Sequence, residues 1–137
     1  MTTRRAFLAG TAAALGSAAA TACGGDGTPT SQGGTTTIRA PLPAVGVTVN
    51  VAGGANNLGI ALTRLSTTGV VAVSRRCTHE GCRVDLPPSS LANMTCQCHG
   101  AVFTVSGSVV NGPAVAPLYS YPTSIDTATN EAVITVS

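Results

Sequence analysis

The chain has 137 residues, enough for one domain, and only 9% of them are charged. All seven basic residues are arginine, and the formal net charge is +2. From Cys23 onward five arginines (Arg39, Arg64, Arg75, Arg76, Arg83) balance five acids (Asp26, Glu80, Asp85, Asp126, Glu131), so nothing in the charge favours nucleic acid as a partner.

The first segment, Met1 to Ala22, reads as a targeting element. Thr3-Arg4-Arg5-Ala6-Phe7-Leu8, with an Ala-rich apolar stretch through Ala20, resembles a twin-arginine export signal. That route carries folded proteins outward, so a cofactor inserted in the cytoplasm travels inside. Ala20-Thr21-Ala22-Cys23-Gly24 resembles a lipoprotein processing site, with Cys23 as the lipidation candidate. Cleavage after Ala22 without lipidation, or an uncleaved leader kept as an anchor, are the other two readings. Large apolar side chains are few for an anchor, since a span needs about 20 apolar residues. Residues 23–37 are rich in Gly, Thr and Ser and read as a flexible tether to a membrane-fixed end.

From Ile38 to Ser137 the pattern is short strands broken by turns. Val45, Val47, Val49 and Val51 alternate with small or polar residues, which predicts a half-buried strand. Residues 52–57 read as a loop, Leu58 to Thr63 as the next strand, and Thr67-Thr68-Gly69 as a turn into a strand at Val70 to Val73. Further strands are predicted at Asn93 to Thr95, Ala101 to Val105, Leu118 to Tyr121 and Glu131 to Val136. No stretch after the leader has capped helical periodicity. Enrichment in Val, Thr and Ile agrees, and the expected class is all-β, an antiparallel sandwich or barrel.

Two short loops carry the chemistry. One reads Cys77-Thr78-His79-Glu80-Gly81-Cys82; the other reads Cys96-Gln97-Cys98-His99-Gly100. Both histidines of the chain lie in them. Each loop offers a thiolate and an imidazole plus a further cysteine, a ligand set for an iron–sulfur cluster. A structural zinc site is an alternative for the same four residue types. Zinc patterns pair C-x₂₋₄-C with H-x₃₋₅-H, whereas each loop here mixes Cys with His. A cysteine nucleophile with a histidine base leaves the doubled arrangement unexplained.

The two loops together resemble the Rieske [2Fe–2S] pattern, C-x-H-x-G-C followed by C-x-C-H-G, without a gap. Gly112-Pro113 resembles the proline loop that covers the cluster in that family. The resemblance covers Ile38 to Ser137 and implies stacked antiparallel sheets with a small cluster-binding subdomain at about residues 77–103. It implies one [2Fe–2S] cluster, with Cys77 and Cys96 on one iron and His79 and His99 on the other. It also implies a disulfide between Cys82 and Cys98, which oxygenase-type Rieske ferredoxins generally lack. A bridge closing a loop of that length is worth roughly 3 kcal/mol on the chain-entropy model. It suits an oxidising compartment.

The ligand set has an electrostatic consequence. An oxidised cluster with four thiolates is a dianion, whereas one with two thiolates is neutral and accepts an electron more readily. Potentials accordingly lie at about −150 to +300 mV, against roughly −400 mV for the four-cysteine type. Imidazole ligands further couple electron transfer to proton transfer, as quinol oxidation requires. Two positions depart from the respiratory pattern: Ala101 and Phe103 stand where serine and tyrosine hydroxyls donate hydrogen bonds to cluster and cysteine sulfur. Their absence predicts a lower potential.

The expected function is one-electron transfer in a membrane-associated chain on the outer face of the cytoplasmic membrane or in the periplasm. The leading reading is the iron–sulfur subunit of a quinol–cytochrome c reductase, with cytochrome b and quinol on one side and cytochrome c on the other. The alternative is the small subunit of another periplasmic oxidoreductase, such as a molybdenum enzyme of the arsenite oxidase type. Arg75 and Arg76 read either as a docking site for an acidic partner or as a solvated strand end. Tyr119 and Tyr121 read as sheet residues.

Overall fold

The structure, a computed structural model, describes residues 34–137. The leader, Cys23 and most of the expected tether lie outside the described residues. Ten strands follow in chain order: β1 (Thr36–Pro41), β2 (Thr48–Val51), β3 (Ile60–Arg64), β4 (Val70–Ser74), β5 (Met94–Thr95), β6 (Val102–Phe103), β7 (Val109–Asn111), β8 (Ser120–Tyr121), β9 (Thr123–Asp126) and β10 (Glu131–Val136). A single turn of 3₁₀ helix, Ala55–Asn57, sits between β2 and β3. The all-β expectation holds. Among the described residues no helix is long and apolar enough to cross a membrane.

The strands form three antiparallel sheets, in the orders β1-β10-β9, β2-β3-β4-β8 and β5-β6-β7. The middle sheet is buried on both faces, and its sequence shows why. Alternate residues of a strand point to opposite faces. Ile60 and Leu62 of β3, with Ala72 of β4, face a core shared with Ala40, Ala132 and Ile134 of the first sheet. Ala61 and Val73 face a second core with Met94 of β5, Phe103 of β6, and Cys77 and Cys96. A strand buried on both faces reads as a continuous apolar run, as Ile60 to Leu62 does. The second core is the one that carries the loops.

Two strand expectations shorten at glycines. The valine alternation predicted a strand from Val45, but β2 starts at Thr48. Gly46 has φ +83° and its N–H reaches Arg64 O at 2.7 Å, while Val47 N–H closes a turn on Ala44 O at 3.0 Å. Only glycine takes that backbone conformation cheaply. Val45 is left 52% exposed. Gly59, at φ +93°, likewise keeps Leu58 out of β3. Strands β7 and β9 have no sequence signature of their own; each is short and poorly alternating. The first strand begins at Thr36, inside the stretch that composition assigns to the tether.

Side chains also tie the first sheet together. Arg39 on β1 reaches Asp126 on β9 at 2.9 Å and Glu131 on β10 at 3.2 Å. The Arg39 hydrogen bond holds the Asp126 carboxyl below its ordinary range, helped by the Thr129 N–H of the β9–β10 turn. All three side chains are partly exposed, so this network adds little to stability.

Two cores on opposite faces of one sheet make a separable prediction. Ile134 is fully buried in the core away from the loops. Ile134→Ala should destabilise folding by about 2–5 kcal/mol. Its visible absorption and reduced EPR spectrum should match those of the parent, as read by denaturant melts and spectroscopy on the same preparation.

Candidate metal centre

The two loops are built on one hydrogen-bond frame. In the first, Cys77 N–H donates to Cys82 O at 2.7 Å, and Gly81 N–H donates to Cys77 O at 2.8 Å. In the second, Cys96 N–H donates to Ala101 O at 2.8 Å, and Gly100 N–H donates to Cys96 O at 2.9 Å. The offsets are the same, four and five residues from the leading cysteine. Gly81 has φ +76° and Gly100 φ +74°. A Cβ at Gly100 would meet nothing within 4 Å, so the requirement there is conformational rather than spatial.

Three links bring the frames face to face. Val84, just after the first loop, forms a β-bridge with Cys96 of the second. Asp85 N–H donates to Thr95 O at 2.9 Å. Cys82 and Cys98 are joined by a disulfide, with Cα atoms 6.4 Å apart. The third wall is the Gly112-Pro113 segment, which has a cis peptide. Thr78 Oγ1 donates to Ala116 O at 2.6 Å and fastens that segment to the first loop.

The frame sorts the candidate donors by chemistry. Cys77 and Cys96 are 3% and 1% exposed. His79 and His99 are exposed, with rings edge to face and centroids 4.9 Å apart. Two thiols therefore lie inside the fold and two imidazoles lie at its tip. Burial pushes the Cys96 thiol up from its ordinary value, and neighbouring Cys77 adds to this; the backbone N–H groups of Cys98 and His99 oppose it by favouring the thiolate. Amide donors aimed at a buried sulfur, beside a second free thiol, are what a metal-bound thiolate needs. The mixed sulfur and nitrogen donors fit an iron–sulfur centre of the kind the sequence suggests. Glu80 Oε2 lies 3.6 Å from His99 Nδ1, among the imidazoles at the tip.

Ala101 and Phe103 are fully buried beside the cysteines and present no hydroxyl there. Arg75 and Arg76 separate. Arg76 is exposed, but Arg75 is buried and does not join a docking surface. A signal for this was present: Val71, Val73 and Arg75 share one face of a two-residue repeat, and Val73 points into the core. Thr78 is a further residue that sequence reasoning missed.

Known proteins agree with this arrangement. The family model described as the Rieske [2Fe-2S] domain matches residues 42–122. The cytochrome b6-f complex iron-sulfur subunit of Chlorobaculum tepidum is 39% identical over 57 residues, covering 42% of this chain and 31% of the subunit. A carotenoid phi-ring synthase of the same organism is 46% identical over 48 residues, covering 35% of this chain and 7% of the synthase. The chain thus spans under a third of the length of either curated relative. Among solved structures, the cyanobacterial plasma membrane Rieske protein PetC3 from Synechocystis PCC 6803 superposes with a TM-score of 0.53 at 28% identity, over 62% of this chain and 84% of that one. Sequence motif, sheet architecture and family match converge: the chain belongs to the Rieske [2Fe–2S] domain family.

Proposed function

We propose that Cys77 and Cys96 hold one iron of the cluster and that His79 and His99 hold the other. The observation that carries this is the sorting of two buried thiols and two exposed imidazoles onto loops clipped by Cys82–Cys98. When bound, the cluster supplies a one-electron couple lifted above that of a four-thiolate site. The chain's own residues do the rest. The disulfide and the Val84–Cys96 bridge hold the ligand loops in register. Thr78 holds the Gly112-Pro113 segment against the first loop. The imidazoles stand at the surface, where a partner can approach them and where a ring nitrogen can exchange a proton with solvent or quinol.

In this reading the leader exports the folded protein by the twin-arginine route. Cys23, lipidated, then holds it at the outer face of the cytoplasmic membrane, and the Gly/Thr/Ser-rich segment gives the domain reach. It serves as the iron–sulfur subunit of a quinol–cytochrome c reductase-like complex, passing one electron at a time from quinol toward a c-type cytochrome. The buried Ala101 and Phe103, without the hydroxyls of the respiratory pattern, favour a second reading. In that case the chain carries electrons for a different periplasmic oxidoreductase, such as a molybdenum enzyme.

Purification of the tagged full chain from detergent-solubilised membranes of its native host tests the choice. Co-purifying haem b, with cluster reduction by a short-chain quinol, supports the first reading; co-purifying molybdenum supports the second. Recovery of the chain alone, unreduced by quinol, contradicts both. The missing hydroxyl makes its own prediction. Ala101→Ser should raise the midpoint potential by tens of millivolts, where about 59 mV is tenfold in a one-electron equilibrium. An EPR-monitored redox titration reads the shift, and an unmoved midpoint counts against the hydrogen-bond argument.

A further inference from the structure

Arg75 is a buried charge that the electron-carrier reading leaves unused. It is 3% exposed. Its Nε donates to Val84 O at 2.9 Å, and its Nη1 donates to Asn50 Oδ1 at 2.8 Å. Both acceptors are neutral. Among the described residues no carboxylate comes within ion-pair distance of it; Arg39 takes Asp126 and Glu131, and Glu80 stands at His99. Asp85 and Arg83 act on it only at longer range and with opposite signs. A buried guanidinium without an anionic partner is costly.

Its position suggests what compensates the charge. Arg75 lies two residues before Cys77. Val84, whose carbonyl takes the guanidinium, donates its own N–H to Arg75 O at 2.8 Å. The Val84 side chain packs in the core with Cys77 and Cys96, and its backbone pairs with Cys96. The cation is therefore bonded to the residue that pairs with Cys96 and shares a core with both thiols. A cluster with two thiolates is neutral when oxidised and gains one negative charge on reduction. That extra charge is the anion the site otherwise lacks.

We propose that Arg75 is a fixed buried countercharge for the reduced cluster, raising its midpoint potential and partly offsetting the absent hydroxyls at Ala101 and Phe103. The inference rests on the cluster alone and holds whichever partner supplies the electron. That electron comes from the reduced partner and goes to the cluster; no bond forms or breaks at Arg75, and no proton moves there.

The test uses cluster-loaded Asn50→Asp, Arg75→Lys and Arg75→Met, each read by redox titration and by thermal unfolding. Asn50→Asp keeps the guanidinium in place and sets a carboxylate on its Nη1. It should lower the midpoint by roughly three- to tenfold in the one-electron equilibrium, the latter about 59 mV. Arg75→Lys keeps the charge and loses the fork, so its midpoint should stay near the parent's while its melting temperature falls. Arg75→Met should lower both. Raising salt toward ~1 M should leave the Arg75→Met shift largely in place, because buried charges are poorly screened. The shift of an exposed control, Arg76→Met, should shrink. If Asn50→Asp and Arg75→Met alter melting but not the midpoint, Arg75 is a structural bolt and the proposal fails. Should Arg75→Met not fold, Asn50→Asp against Arg75→Lys still decides it.

Discussion

Everything at the tip depends on two cysteine loops being held face to face, so that sulfur lies inside and nitrogen outside. Neither loop can impose that arrangement alone. Each is a tight turn closed by two backbone hydrogen bonds around a left-handed glycine. Register between them comes from the Val84–Cys96 bridge, and the Cys82–Cys98 disulfide locks it. A small, aromatic-poor domain has little core to spare for positioning a metal site. Covalent and backbone links replace packing where packing is thin.

The middle sheet is the base on which this sits. Its strands bury one face against the first sheet and the other under the cysteine loops, so the site inherits the rigidity of a two-sided layer. The loops leave that layer directly: β4 ends at Ser74, and Arg75, Arg76 and Cys77 follow at once. A buried charge at Arg75 therefore belongs both to the fold and to the electrostatics of the centre. The same residue joins β2 through Asn50 to the strand end beneath the first loop. Sequence neighbours with one charge and one name, Arg75 and Arg76, end in opposite environments because the strand alternation carries past Ser74.

Much of the site was legible in the sequence, because loop geometry here is local. Fixed cysteine, histidine and glycine spacings encode the turns; the structure sets Cys77 beside Cys96 inside the fold and His79 beside His99 at the surface. The strands were legible where β-branched residues alternate or run, as at Val70 to Val73 and Glu131 to Val136. They were misjudged where a glycine interrupts an apolar rhythm: Val45 and Val47 keep the period but lose the strand to Gly46. Strands β7 and β9 carry no signature because each is a short, at least partly exposed hairpin partner, of β6 and β10, with no buried apolar alternation of its own. Thr78's grip on Ala116 spans 38 residues and has no local signature.

The central claim is a diiron centre with sulfur on one metal and imidazole nitrogen on the other. Pulsed EPR on the dithionite-reduced protein, labelled with ¹⁵N-histidine, measures this directly. The account predicts a rhombic [2Fe–2S]⁺ signal with couplings to two histidine nitrogens, both lost in variants lacking His79 and His99. A colourless, EPR-silent protein with stoichiometric zinc, or a cluster signal without histidine couplings, would contradict it.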